Sequence, residues 1–516
     1  MKIGNVFLSI VTLVGVLAGG AASAQSQMIQ VNGQLRPAYR EGEVIVKYKD
    51  GANRSFRTMT AMYSRVNVVA VDRFKGAFKN FEKLTFNTSN LSVEQVVADI
   101  QRDPSVEYVQ PNYMLYAFPN QLAQPKKLGE PCMIPGIPYP PGCEDSGGGG
   151  GGTPPPGGGQ PCLIPGIPYP PGCEDGGGGG GGGGPTPPPA NRPAIPALPA
   201  EVNPPVADPN LSQAWGVLKV SADKAWSIEK GSKNLIVAVI DTGVDYTHPD
   251  LAFNIWRNPK ALNAVKTGVD AQGDEITGDV VGWDFVHNDN LPYDDNEHGT
   301  HCAGTIGAVG GDGQGVSGVN QRVSIMAVKF LSGQGSGTTA DAIKGIDYAV
   351  SRGAKVLSNS WGGKGDDGNN ALKDAILRAQ AKGVLFIAAA GNDSTNNDSD
   401  PVYPAAFNLE NMITVAATSE TDGLAYFSNT GAKSVHVGAP GTNVYSTVPG
   451  NKYNKLSGTS MACPHVAGAA ALVWSHFPNA DFKEIKRRLM DSGDAVGALS
   501  GKTITGKRIN VLNALN

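Results

Sequence analysis

The sequence predicts an α/β protein with a mainly parallel central sheet flanked by helices, preceded by a small α+β unit. Two observations carry this. After Ala207, continuous apolar runs of strand length at 235–240, 323–330, 355–360 and 384–390 alternate with helix-period segments, the pattern of strands buried on both faces. Before residue 120 the order strand, helix, strand, strand, helix, strand is ferredoxin-like.

Taken in order, residues 1–24 read as a secretory signal: Lys2, an apolar run over 6–17, and Ala22-Ser23-Ala24 before Gln25. The expected location is therefore extracellular, where disulfides persist. No later run has the roughly 18 apolar residues of a membrane span. A net charge of −4 and a pI near 6.0 give no electrostatic reason for a nucleic-acid or anionic-membrane partner.

Residues 25–120 form the α+β unit. Its first strand is GEVIVKYK, further strands are expected at 68–71 and 81–86, and Ser92 with Gln95 makes a capping box for the second helix. A last apolar strand runs from Val106 to Tyr116.

Residues 121–205 are a Gly/Pro-rich linker in which PCMIPGIPYPPGCED at Pro131 recurs as PCLIPGIPYPPGCED at Pro161. Each repeat holds a Cys-x10-Cys pair, Cys132 with Cys143 and Cys162 with Cys173. That spacing suits small disulfide-closed loops on an extended spacer better than the short C-x2-C of a zinc site.

Residues 206–516 carry the main sheet. Ile343, Ile346, Ala349 and Val350 mark one helix, and Leu372, Ala375, Ile376 and Ala379 the next. Gly353 and Gly383 stand where helices should stop. In parallel sheets ligands gather beyond the carboxyl ends of the strands.

Three segments there carry chemistry. Asp241 ends an apolar strand in VIDTGVD, His298 lies in NEHGTHCAG, and Ser460 lies in SGTSMACPHVAG at the mouth of a helix apolar all round. A helix N-terminus favours negative charge, which suits a serine whose attack creates an oxyanion. Pro464 is expected in that helix's first turn, where N–H groups have no intrahelical partner. Cys302 and Cys463 have small apolar neighbours and read as buried thiols, although a disulfide between them is open.

Singly, each of these residues is more often a cap or a packing residue. Together, in the order Asp, His, Ser, the segments resemble those of subtilisin-like serine proteases, thermitase-like members included. The resemblance runs from Asp208 to the C-terminus and implies a secreted serine endopeptidase of broad specificity, made as a zymogen. It makes Ser460 the nucleophile, His298 the base and then acid, and Asp241 the group that orients the imidazole.

By the same resemblance, Asn392 in AAAGND supplies an oxyanion donor. Gly335, Ser336, Gly337 and Ser360, Trp361, Gly362 flank the substrate backbone, and Val402 lies at the pocket floor. Structural Ca²⁺ is implied at Asp208, Asp250 and the loop with Val309, Asp312, Gln314 and Val316. A second cation position is implied at Asp284 and Asp289, with His287 where the family pattern has a carboxylate.

The unit at 25–120 resembles the family's inhibitory, fold-assisting propeptide (inhibitor I9-like), with Tyr113-Met114-Leu115-Tyr116 lying in the groove as a product and the first cut near this tail. The partners implied are protein and peptide substrates and the chain's own propeptide. Two other classes compete: a catalytically silent binding module on a Gly/Pro stalk, and a metal-dependent hydrolase. Intact triad residues and Asn392 weigh against the first, and the lack of HExxH around His298 and His301 against the second.

Overall fold

A computed structural model describes residues 27–31, 34–52, 56–74, 79–118, 192–203, 205–261, 266–269, 275–365 and 369–516. The expected signal segment and the four linker cysteines lie outside them. No described helix is long and apolar enough to cross a membrane.

Strands Tyr39–Tyr48, Val68–Arg73, Phe81–Phe86 and Val106–Ala117 of the N-terminal unit form an antiparallel sheet. Helices Phe56–Arg65 and Val93–Ile100 belong to the same unit. Val44, Val46, Leu84, Val96 and Ile100 make its core because alternate strand positions and one helix face are apolar. The capping box forms as expected: Ser92 Oγ accepts from Gln95 N–H at 3.3 Å, and Gln95 Oε1 accepts from Ser92 N–H at 2.9 Å.

The opposite face of this sheet brings Ile45, Phe81, Leu115 and Ala117 into the core of the C-terminal region. Two of its side chains complete helices there. Asn112 Oδ1 accepts from Ala340 N–H at 3.0 Å and Gln110 Oε1 from Ala371 N–H at 2.9 Å. These are first-turn amides of helices Thr339–Ser351 and Asn370–Ala381, which have no partners within their own helices.

Among the described residues the large sheet has nine strands. In spatial order Gly282–Asp284, Ser324–Lys329, Ile236–Asp241, Val356–Asn359, Leu385–Ala389, Met412–Thr418 and Val437–Pro440 pair in parallel. Lys507–Arg508 continues the parallel edge and Asp494–Ala495 closes it antiparallel. Helices Thr339–Ser351 and Asn370–Ala381 bury Ile343, Ile346 and Ala349, and Leu372, Ala375, Ile376 and Ala379, respectively. Gly353 and Gly383 follow them at φ +88° and +74°, the left-handed stop that glycine adopts freely.

Helix Thr459–His476 is buried from Thr459 through Trp474. The expected placement of Pro464 is corrected: it is the sixth residue of this helix, beyond the first turn, and so deprives the Ser460 carbonyl of its i+4 donor. Ser360 Oγ at 2.9 Å and Cys302 Sγ at 3.5 Å donate to that carbonyl instead.

The expected boundary at 205/206 does not coincide with a change in packing. Tyr246 Oη donates to Pro193 O at 2.7 Å, Ile195 packs on the main core, and Arg322 pairs with Glu201.

Candidate active site

Asp241 is the last residue of its strand and His298 the first of helix His298–Gly307. The sheet rim and the helix start therefore meet side chain to side chain. His298 Nδ1 lies 2.7 Å from Asp241 Oδ1, which also accepts from Thr242 N–H at 2.7 Å. Asp241 is fully buried and His298 nearly so. Burial alone lowers the His298 pKa, but the Asp241 carboxylate, with Asp294 and Glu297 adding, turns the net direction upward. His298 Nε2 has no protein partner.

Ser460 is the second residue of its helix. Its Oγ stands 3.0 Å from Ser360 O and 3.5 Å from Phe118 O. Asn392 is held through its oxygen, which accepts from Thr459 N–H at 2.9 Å and Thr459 Oγ1 at 2.8 Å. Its Nδ2 is left without a partner. A Cβ on Gly458 would stand 3.2 Å from that Nδ2 and 3.5 Å from Ser460 N. Any side chain there would intrude between the two donors. Gly458 was not singled out by sequence reasoning, although it lies inside the serine motif, two residues before Ser460.

The groove is occupied by the chain's own strand Val106–Ala117. On one side Ser336, Gly337 and Thr338 pair antiparallel with Tyr116, Leu115 and Met114, and Ala117 N–H donates to Gly335 O at 2.8 Å. On the other, Trp361 and Gly362 pair with Ala117 and Tyr116. The expected tail is thus seated, but it extends further than Tyr116. Phe118, 1% exposed, fills the pocket beyond it. A Cβ on Gly362 would meet the Phe118 ring at 2.9 Å and Val402 Cγ1 at 3.0 Å, so the missing side chain is the space the ring uses. Burial of such a ring stabilises by about 1.5–3 kcal/mol. Sequence reasoning stopped at Tyr116 because alternation ends there; the aromatic at 118 was the available signal.

Tyr116 is held from above by a hairpin that was also missed. Strands Met28–Val31 and Gln34–Pro37 pair antiparallel. Tyr116 Oη donates to Pro37 O at 2.7 Å and the Arg36 guanidinium lies 5.0 Å from its ring centre.

Among the described residues, Asp241, His298 and Cys302 form a cluster compact enough for a metal. Burial pushes the Cys302 thiol well up, and its Sγ donates to Ser460 O. Cys302 and Cys463 are both free and buried, so no disulfide joins them. His301 Nε2 is bonded to Val444 O at 2.8 Å and His465 Nδ1 to Met461 O at 2.8 Å, packing roles for both.

The chain matches the subtilase family (Peptidase_S8) over residues 232–506. The chain belongs to the subtilase family. Residues 26–112 of this subtilase match the fervidolysin N-terminal prodomain. It is 39% identical to thermitase of Thermoactinomyces vulgaris over 59% of its own length and 96% of that protein. Identity to the thermophilic serine proteinase of Bacillus sp. strain AK1 is also 39%, over 58% of this chain and 66% of the relative. Subtilisin DY of Bacillus licheniformis is 36% identical over 55% and 92%. The subtilase is a serine endopeptidase carrying a prodomain.

Two acidic clusters of the subtilase differ in character. Asp208 accepts from Gly311 N–H, Asp312 N–H and Ser317 Oγ. Asp250 Oδ2 accepts from Val316 N–H at 2.8 Å and Tyr453 Oη at 3.1 Å, while its buried Oδ1 has no protein partner. Burial, with Asp312 and Asp208 adding, pushes the Asp250 carboxyl up to about 9. A buried, unpaired carboxylate oxygen beside a loop of carbonyls fits a hard cation.

The second expected cation position is corrected. The Arg192 guanidinium lies between the two carboxylates, 3.2 Å from Asp284 Oδ2, and 2.8 and 2.5 Å from the two oxygens of Asp289. His287 Nδ1 lies 2.7 Å from Asp284 Oδ2. A side-chain cation supplies the charge, and it comes from the segment expected to be linker. Sequence reading had no spacing by which to find it.

Proposed function

We propose that this subtilase hydrolyses peptide bonds through Ser460, His298 and Asp241, with Asn392 Nδ2 and the Ser460 amide stabilising the oxyanion. The observation that carries the reading is the antiparallel seating of residues 114–117 between the two groove strands, which brings the Phe118 carbonyl up to Ser460 Oγ. A substrate held in that way needs only main-chain complementarity, which gives broad specificity. Val402 and Gly362 then select an apolar or aromatic residue before the scissile bond.

In this mechanism His298 Nε2 takes the Oγ proton as Ser460 attacks, and later hands it to the leaving nitrogen. Asp241 holds the imidazole through Nδ1 and stabilises its charged form. Residues 25–120 act as the inhibitory, fold-assisting propeptide, and residues from 121 as a linker whose end, from Arg192, packs on the catalytic domain at 206–516 of a secreted enzyme. A serine-directed organophosphorus reagent is expected to abolish activity with one adduct, on Ser460. Full activity after such treatment, or an adduct elsewhere, rejects the assignment.

Calcium is proposed at Asp208, Asp250, Asp312 and Gln314 with the carbonyls of Val309 and Val316. Its chemistry there is charge compensation: it would neutralise Asp250 and tie the loop to the helix start at Pro249–Ala252. A ligand that binds only the folded state adds about 2.7 kcal/mol at a hundredfold excess over its dissociation constant. Unfolding scans should show a higher Tm in calcium than in chelator, and Asp250→Asn should remove most of the difference. Superimposable wild-type scans would refute the site.

A further inference from the structure

We infer that the Phe118–Pro119 bond, which the groove presents to Ser460, resists cleavage, so that the seated tail inhibits as an uncut chain rather than as a product. The inference rests on the proposed roles of Ser460 and His298.

The seating is substrate-like in register. Residues 114–116 pair on one side and 116–117 on the other, Phe118 fills the pocket, and its carbonyl lies 3.5 Å from Ser460 Oγ. The residue bonded to that carbonyl carbon is Pro119. Cleavage requires that an Oγ–C bond form while the Oγ proton passes to His298 Nε2. The C–N bond then breaks as that proton is delivered to the nitrogen of residue 119. Every other residue offers a nitrogen carrying one hydrogen, free to turn its lone pair toward the imidazole. Proline has no N–H, and its ring places a methylene there and fixes φ near −65°. The proton hand-off is therefore obstructed on the bond that follows Phe118.

The reacting groups are also apart from their catalytic partners. Ser460 Oγ has Ser360 O as its nearer acceptor, at 3.0 Å. His298 Nε2 and Asn392 Nδ2 each have no protein partner. The Phe118 carbonyl is therefore near the serine but not bonded to Asn392 Nδ2. Proline fits the ladder as well as it blocks the chemistry, because the residue before a proline prefers extended backbone, the conformation a groove-bound strand continues.

The test uses the full chain and two peptides spanning residues 114–120, one with the native sequence and one with Ala for Pro119. On incubation, wild-type protein should yield no fragment beginning at Pro119, whereas Pro119→Ala should yield one beginning at residue 119. Mature enzyme should cleave the Ala peptide after its Phe and the native peptide more slowly by about 10²-fold or more, the scale of a general acid's contribution. The native peptide should instead compete with a chromogenic substrate. A wild-type fragment starting at Pro119, or equal cleavage of the two peptides, overturns the proposal. So does an Ala peptide left intact by enzyme that digests casein, because the register would then be wrong. If casein too survives, the serine-protease roles themselves fail and the proposal falls with them.

Discussion

Ser460→Ala is expected to reduce hydrolysis of a chromogenic peptide by about 10⁶-fold, the scale found for loss of this serine in a subtilisin. The substitution removes one oxygen and little else. Among the described residues, Ser460 Oγ hydrogen-bonds to Ser360 O and Phe118 O. The carbonyl of the same residue, deprived of its i+4 donor by Pro464, keeps its donors Ser360 Oγ and Cys302 Sγ. The prodomain should also remain in place, since Ala117 N–H donates to Gly335 O and neither groove ladder uses the hydroxyl. The variant should therefore be recovered folded, uncut and inactive, with a wild-type Tm. Near-wild-type turnover would remove Ser460 from the mechanism. A large fall in Tm would mean that folding, and not chemistry, had been lost.

What was legible in the sequence follows from locality. The four apolar runs and the helix faces could be read because a buried strand and a packed helix leave periodic marks in short windows. Asp241, His298 and Ser460 were readable because each sits at an element boundary with its own motif. Met412–Thr418 was overlooked, although its seven residues are all buried. Gly282–Asp284 and Lys507–Arg508 are too short to give a period. The N-terminal hairpin carried Asn32-Gly33, a strong turn signal, that was not weighed. Other features are long-range and leave no local trace. Arg192 reaches Asp284 and Asp289 across more than 90 residues, and Gln110 and Asn112 complete helices more than 220 residues away. In those cases the partner is chosen by the fold.

Asp241→Asn is expected to lower kcat by about 10⁴-fold, the scale seen when the corresponding acid of a serine protease is made neutral. It should also move the acid limb of the rate profile. Burial disfavours the His298 imidazolium, whereas the Asp241 carboxylate at 2.7 Å, with smaller help from Asp294 and Glu297, favours it, and the net direction is upward. With the carboxylate present the pKa lies above the ordinary 6.5, so the wild-type rate should fall as pH drops through a value above 6.5. In Asp241→Asn burial is opposed only by the weaker pull of Asp294 and Glu297, and the limb should shift to lower pH. The amide keeps an oxygen for Thr242 N–H, which donates to Asp241 Oδ1 at 2.7 Å in the native site, so the loop should hold its shape. The measurement is kcat/KM against pH for both enzymes, with Tm as the control. A variant slowed 10⁴-fold whose limb stays at the wild-type position would show that Asp241 positions the ring without setting its charge. A limb that moves upward would contradict the electrostatic account altogether.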